Sequence, residues 1–318
     1  MENTKGKTFL VTGGAGFIGS NMCEELIRRG AKVIVYDNLS SGRYQFIKHL
    51  ETESGFRFVK ADVLNLDELV EVMKGGVDVV VHLAANADVR RGFVETDLDL
   101  KQGVITTYNV LEAMRRTGVK SIIFSSSSVV YGNAEKKPTP EDYGPLLPVS
   151  FYGSAKLASE GLITAFSNLY GFRYYIFRFA NIVGKNGTHG VIPDFVRKLK
   201  QNPGVLEVKG DGKQKKSYVT VEECVNAILY VYEKSKSNYN LFNISADSQV
   251  TVKEIAEMVR DAVSKEAKIT YEKTREGWPG DITDSYLANA KLTGLGYNVR
   301  TTSTEAVKIG IQEALKFQ

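Results

Sequence analysis

The chain is poor in several residue types that would narrow its role at once. Its two cysteines, Cys23 and Cys224, both fall in expected helices. That excludes a disulfide-framed secreted scaffold and points to a reducing compartment. Three histidines form no His/Cys cluster, so no metal centre is expected. No stretch reaches the ~18 consecutive apolar residues of a membrane span. The opening "MENTKGKTFLVTGG" has no apolar signal-peptide core, so a cytoplasmic location without membrane contact is expected. A formal charge of +4 is small and scattered, which argues against nucleic acid as a partner. The basic stretch at residues 213–217, "KQKKS", reads as a solvated loop. Repeats and low-complexity tracts are absent.

What is present is the alternation of an α/β protein. Short β-branched runs at "KTFLVT", "KVIVYD", "FRFVKAD", "VDVVVHLA", "SIIFSSS", "YYIFRFA" and "YNLFNIS" are almost unbroken in hydrophobicity. Such runs suit strands buried on both faces of a parallel sheet. Helix-length segments lie between them, notably Val104–Thr117 and Phe151–Tyr170. The pattern predicts a doubly wound, Rossmann-like sheet with ligands at the carboxyl ends of its strands. From about Asn181 onward glycines and longer loops interrupt the alternation. They predict a smaller α/β lobe, with the strand near Tyr239–Ser245 returning to the first sheet.

After the first strand comes "VTGGAGFIGSNMCEELIRRG". Gly13, Gly16 and Gly19 fit G-x-x-G-x-x-G, and Gly14, Gly16 and Gly19 also fit G-x-G-x-x-G. Glycine lets the backbone turn tightly and approach a pyrophosphate, and the following helix directs its N–H groups at that anion. The second strand ends in Asp37, 18 residues past Gly19, near the spacing of a ribose 2′-hydroxyl ligand. A carboxylate there repels a 2′-phosphate, which favours NAD over NADP. Asp37 also reads as a turn residue of "DNLSSG". Asp62, after the third strand, suits adenine contact or strand-end capping equally.

Four residues separate Tyr152 from Lys156 in "SFYGSAKL", so both leave the same helix face. Alone, that spacing describes any surface helix. Beside a dinucleotide loop and the strand-end serines of "FSSSSVVYG" it describes a base. A free phenol has a pKa of about 10, so acting near neutrality needs a shift of about 3 units, roughly 4 kcal/mol. An adjacent ammonium and a cationic nicotinamide could supply it.

"TGGAGFIGS", "HLAANADVRRG", "FSSSSVVYG", "YGSAK", "RFANIVG", "GDGKQKKSYV" and "GWPGD" follow one another in the order found in the extended short-chain dehydrogenase/reductase family. Over essentially its whole length the chain resembles that family, above all nucleotide-sugar 4-epimerases of the UDP-glucose/UDP-galactose type. The resemblance implies NAD held by Gly13, Gly16, Phe17, Ile18, Gly19, Asp37, Asn38, Asp62, Val63, Leu83, Ala84, Ala85, Tyr152 and Lys156. Residues 1–180, with about 218–245, would bind the cofactor, and 181–318 mainly the substrate. Tyr152 would take the proton of the sugar 4-hydroxyl, Lys156 would lower the phenol's pKa and hold the nicotinamide ribose, and Ser127 would hydrogen-bond the reacting oxygen.

On the same basis Asn181, Lys216 and Arg275 would meet the substrate diphosphate, although Asn181 also suits a turn cap and Arg275 plain surface. Ser285 would flank the sugar 2-substituent, and being small would admit N-acetylated sugars. Lys216 stands where many relatives carry arginine, and Gly103 where they carry asparagine. Val129 and Ser128 occupy positions where relatives that dehydrate or decarboxylate carry an acid, which favours simple epimerisation. His189 reads as a loop hydrogen-bonder. Helices Val104–Thr117 and Phe151–Tyr170 would pair two subunits into a homodimer, or be internal. A 4-ketoreductase, a dehydratase and a non-catalytic nucleotide-sugar binder are the other readings.

Overall fold

The computed structural model describes residues 3–86 and 88–317. The chain runs β1 Thr8–Thr12, α1 Phe17–Arg28, β2 Lys32–Asp37, β3 Phe56–Lys60, α2 Leu66–Met73, β4 Val79–His82, α3 Val89–Val94, α4 Thr106–Thr117, β5 Ser121–Ser127, α5 Phe151–Tyr170 and β6 Arg173–Phe179. It continues with β7 Asn181–Val183, α6 Val191–Gln201, β8 Val205–Val208, β9 Lys215–Lys216, β10 Tyr218–Thr220, α7 Val221–Lys234, β11 Tyr239–Ile244, β12 Val250–Thr251, α8 Val252–Val263, β13 Lys268–Tyr271, β14 Asp284–Ser285, α9 Ala290–Leu295 and α10 Ser303–Phe317.

Seven parallel strands form one sheet in the order β11-β6-β5-β4-β1-β2-β3. Successive side chains of a strand leave opposite faces, and β1 shows the consequence. Phe9 and Val11 join the core beneath α1 and α7, while Leu10 joins the one beneath α2, α4 and α5. Strands buried on both sides must be apolar throughout, as the expected runs are. A third core, including Phe195, Leu206, Tyr218, Ile255 and Val307, belongs to the smaller lobe. That lobe carries short sheets pairing β10 with β7, β13 with β8, and β12-β9-β14.

The helix expected from Val104 begins differently. Leu100–Ile105 form a π-helical turn that leads into α4. The Gly103 carbonyl takes three hydroxyl hydrogen bonds, from Thr106 at 3.2 Å, from Thr107 at 2.7 Å and from Ser159 of α5 at 3.3 Å. A Cβ at Gly103 would stand 2.9 Å from the Ala155 Cβ, so glycine lets this turn lie against α5. Helix α5 has the expected limits. Ser150 accepts a hydrogen bond from Gly153 N at 3.1 Å at its start, and left-handed Gly171 ends it.

One buried ion pair ties α5 to the sheet. Arg178 of β6 donates to Glu160 through Nε at 3.0 Å and Nη2 at 2.7 Å, and the Ser126 hydroxyl donates to the same carboxylate at 2.5 Å. The guanidinium also lies 4.7 Å above the Tyr131 ring. Removing one partner leaves the other charge buried and alone, which costs about 3–5 kcal/mol. Glu160→Ala is therefore expected to lose that much stability in a denaturant titration, and Glu160→Ala combined with Arg178→Met to lose less.

Candidate active site

Strands β1 and β4 are neighbours, yet the chain leaves them toward opposite edges of the sheet. The loops after them bound a crevice at the strands' carboxyl ends. The two loops touch there. Gly13 has φ +70°, and a Cβ on it would lie 2.8 Å from Ala84 N, so glycine is needed for both conformation and room. Gly14 packs on the Val35 side chain, and a Cβ on Gly19 would collide with the Gly13 carbonyl. Gly16 starts α1, and no side chain caps that end. The first-turn N–H groups of Phe17 and Ile18 are thus left for an anion, at the positive end of the helix dipole.

Asp37 ends β2 beside this loop. Its Oδ2 accepts from Ala15 N at 3.0 Å and its Oδ1 from Leu39 N at 2.8 Å. It is thus a turn residue and also a clamp on the glycine loop. Burial raises its carboxyl above the ordinary range, against those two N–H bonds. A carboxylate accepts about four hydrogen bonds, so capacity remains for a ribose hydroxyl. Asp62 accepts from Asn38 Nδ2 at 2.9 Å and from Leu64 N at 2.8 Å. The Val63 carbonyl receives Asn109 Nδ2 at 3.0 Å, an anchor from α4 that sequence reasoning missed. Glycine backbone, an uncapped helix start and a carboxylate 22 positions past Ala15's N–H contact suit a dinucleotide.

At the end of β5, Ser125 and Ser126 are buried whereas Ser127 is half-buried. Ser127 Oγ accepts from Val129 N at 3.4 Å, a weak bond that leaves the hydroxyl proton to donate. Lys156 is 4% exposed. Its ammonium donates to the Ser125 carbonyl at 2.6 Å and lies 4.7 Å above the Phe124 ring and 5.7 Å from the Tyr152 ring centre. Burial lowers Lys156 to about 8, although Glu160 and Asp99 pull it up. Tyr152 is pushed up to about 12 by burial and then by the Asp99 carboxylate. The expectation that Lys156 brings the phenol toward neutrality is thus not met by the protein's own groups. Burial first, and then the Asp99 carboxylate, favour the neutral phenol.

Beneath these groups His82 bridges Thr12 Oγ1 at 2.7 Å and Thr107 Oγ1 at 3.1 Å. Burial, aided by Lys156, holds it down at about 3, so it is a neutral tie between β1, β4 and α4. Nothing in the sequence patterns flagged it. Leu83 N and Ala84 N donate to the Thr12 carbonyl and hydroxyl at 3.1 and 3.4 Å, and Ala85 follows them along the crevice.

In the smaller lobe Lys216 and Ser285 are register partners on β9 and β14, so both leave one face of that sheet. Asn181 stands close by, its N and Nδ2 both donating to the Ser217 carbonyl at 3.1 and 3.2 Å. Lys216 is already committed: it pairs with buried Asp281 at 2.7 Å and packs 5.3 Å from the Trp278 ring. Arg275 is not with them. It is exposed and lines a separate cavity of about 360 Å³ with Asp211, Lys213, Lys215 and Asp284. His189 bonds Thr188 Oγ1 at 2.8 Å. No helix among the described residues is long and apolar enough to cross a membrane.

Residues 9–245 match the model of the NAD dependent epimerase/dehydratase family. The chain belongs to that family, and NAD is its cofactor. It is 32% identical over 304 residues to a putative UDP-glucose 4-epimerase of Methanocaldococcus jannaschii, covering 94% of this chain and 95% of the relative. A solved UDP-galactose 4-epimerase is 37% identical with a TM-score of 0.87, covering 98% of this chain and 99% of that one. The Thermotoga maritima UDP-glucose 4-epimerase, solved with UDP-glucose, is 32% identical with a TM-score of 0.87 over 98% and 99%. Like them, this chain is an enzyme of nucleotide-sugar metabolism with the extended short-chain dehydrogenase/reductase fold.

A charge-assisted hydrogen bond contributes about 1.5–3 kcal/mol, or roughly 10- to 100-fold in affinity. Asp37→Ala is accordingly expected to weaken NAD binding by that factor in calorimetric titration.

Proposed function

We propose that the chain interconverts UDP-hexoses at C4, with NAD resident in the crevice between β1 and β4. The observation carrying this reading is the Ser127–Tyr152–Lys156 cluster at the strand ends, with Val129 and Ser128 where elimination would need an acid. Bound NAD supplies a reversible hydride acceptor. Everything else falls to side chains. Tyr152 Oη takes the proton from the 4-hydroxyl and later returns it, while Ser127 Oγ hydrogen-bonds the same oxygen in the hydroxyl and 4-keto forms. Lys156, held by Ser125 and Phe124, donates to the nicotinamide ribose and adds positive charge near the phenol. The 4-keto sugar turns over between the two hydride steps. Gly13, Gly16, Phe17, Ile18, Gly19, Asp37, Asn38, Asp62, Val63 and Leu83–Ala85 line the cofactor side.

Residues 1–180 with about 218–245 form the cofactor half in this reading, and the rest of 181–318 receives the UDP-sugar. Asn181 and Lys216 would meet the diphosphate, Lys216 exchanging Asp281 for it. Arg275 would reach it only by movement of its segment. Ser285, on the Lys216 face, leaves space beside the sugar's 2-position, so UDP-N-acetylglucosamine and UDP-N-acetylgalactosamine are accepted with UDP-glucose and UDP-galactose. Exposed Ile105, Tyr108 and Leu169 on and beside α4 and α5 support a homodimer through those helices. The enzyme would work in the cytoplasm.

Purified protein incubated with each of the four UDP-sugars, with and without added NAD, should interconvert C4 epimers with no net NADH. Loss of water from the sugar would reassign it as a dehydratase, and consumption of NADH as a ketoreductase. No reaction with any would leave a binding protein. Tyr152→Phe should slow turnover by roughly 10²- to 10⁴-fold, the range of general acid–base catalysis. Ser285→Tyr should suppress the N-acetylated pair while sparing the other; equal loss of both would remove Ser285 from the sugar pocket.

A further inference from the structure

The described residues include one buried carboxylate beside this cluster with no assigned task. Asp99 immediately precedes the π-helical turn and is 2% exposed. Its Oδ1 accepts from Asn86 Nδ2 at 3.1 Å, but its Oδ2 is buried with no hydrogen-bond partner. A bare acceptor of this kind costs stability, yet the surrounding backbone is shaped to house it. A Cβ on Gly92 would collide with Asp99 Oδ2, and it would stand 3.8 Å from the Cβ of Phe151, the residue before Tyr152. A Cβ on Gly103, in the turn that follows Asp99, would stand 2.9 Å from the Cβ of Ala155, the residue before Lys156. Two glycines thus seat Asp99 against the first turns of α5.

We propose that Asp99 is a positioning residue for the Tyr152–Lys156 pair: its buried charge keeps the lysine an ammonium and stops the tyrosine from settling as a phenolate. This rests on the epimerase reading. There the same tyrosine must take a proton and give it back, so a phenolate stabilised too far would be a poor donor in the second half.

Lys156 and Tyr152 face Asp99 from α5. Glu160, a turn beyond Lys156, is tied to Arg178 of β6, and His82 of β4 is neutral. Glu160 and Asp99 both raise Lys156, but Asp99 alone of these carboxylates also raises Tyr152. Asp99 itself is raised by burial, with Asn86 and Lys156 opposing.

The test is Asp99→Asn in the NAD-loaded enzyme, a near-isosteric change that retains an acceptor for Asn86. Loss of the negative charge makes both Tyr152 and Lys156 easier to deprotonate. Both limbs of the kcat/KM pH profile should therefore move to lower pH, by about half a unit or more. A purely structural lesion lowers the amplitude without moving both limbs the same way. Ultraviolet difference titration supplies a readout that needs no turnover. With Tyr152→Phe subtracted in each background, the Tyr152 phenolate should appear at lower pH when Asp99 is Asn. If wild-type enzyme turns over no UDP-sugar, the epimerase reading fails and this titration still decides the role of Asp99. Asp97→Asn, at an exposed residue paired with Lys101, should change neither readout. Unmoved limbs together with an unmoved phenolate titration would overturn the proposal. If Asp99→Asn does not fold, Asp99→Ser must show the same shifts; failure of both to fold would make Asp99 a folding residue and overturn it equally.

Discussion

A buried ammonium is the constraint on which the site depends. Desolvating a charged amine is costly, and Lys156 offsets that cost with three separate devices. The Ser125 carbonyl at the end of β5 accepts a hydrogen bond from it, the face of Phe124 supplies π density, and the carboxylates of Glu160 and Asp99 add field. Each device fixes something else. The Ser125 bond sets the height of α5 over the strand ends, hence where Tyr152 and Ser127 can meet a ligand. Glu160 must be neutralised in turn, and Arg178 does this from the neighbouring strand, in register with Ser126. Helix α5 is therefore located by charge satisfaction as much as by apolar packing.

The cofactor crevice is governed by steric limits of another kind. The β1 loop and the β4 loop approach until no Cβ fits between Gly13 and Ala84, and α1 packs so closely that Gly19 sits on the Gly13 carbonyl. Such close approach directs the start of α1 at the gap between two diverging crossovers. Asp37 then does two things with one carboxylate: it fastens the glycine loop through Ala15 N, and it presents its remaining acceptor capacity to the same gap. The turn reading and the ligand reading of Asp37 are compatible, because a carboxylate offers more acceptor sites than a turn consumes.

These differences explain what could be read from the chain and what could not. Strands buried on both faces leave unbroken apolar runs, and glycines that exclude a Cβ leave a spaced motif, so the sheet and the crevice were visible in advance. Helix α5 was visible to the residue because Ser150 and Gly171 mark its ends chemically. The π-helical turn was not: it arises from the contact of Gly103 with Ala155 and from hydroxyls 52 residues apart (Thr107 and Ser159) meeting near one carbonyl. His82, Asn109, Arg178 and Asp99 escaped for the same reason, since their partners come from other elements and carry no local signature. Arg275 is the opposite case. A basic residue near a recognised motif invites assignment, whereas in the fold it lines the cavity with Lys215 and Asp284.

The charge balance around Tyr152 bears on what kind of chemistry the site can run. Burial and Asp99 favour the phenol, Lys156 is weakened by burial but still an ammonium below about pH 8, and the cofactor is to contribute positive charge when present. A site meant only to abstract a proton would gain from dropping Asp99 and filling its space with apolar atoms. A site that must return the proton to the same oxygen needs a phenol whose two states lie close in free energy. The phenol-favouring groups are built into the protein, and the phenolate-favouring charge is completed by the ligand. In the proposed epimerase reading each protonation state is thus matched to a stage of a reaction that begins and ends at the same redox level.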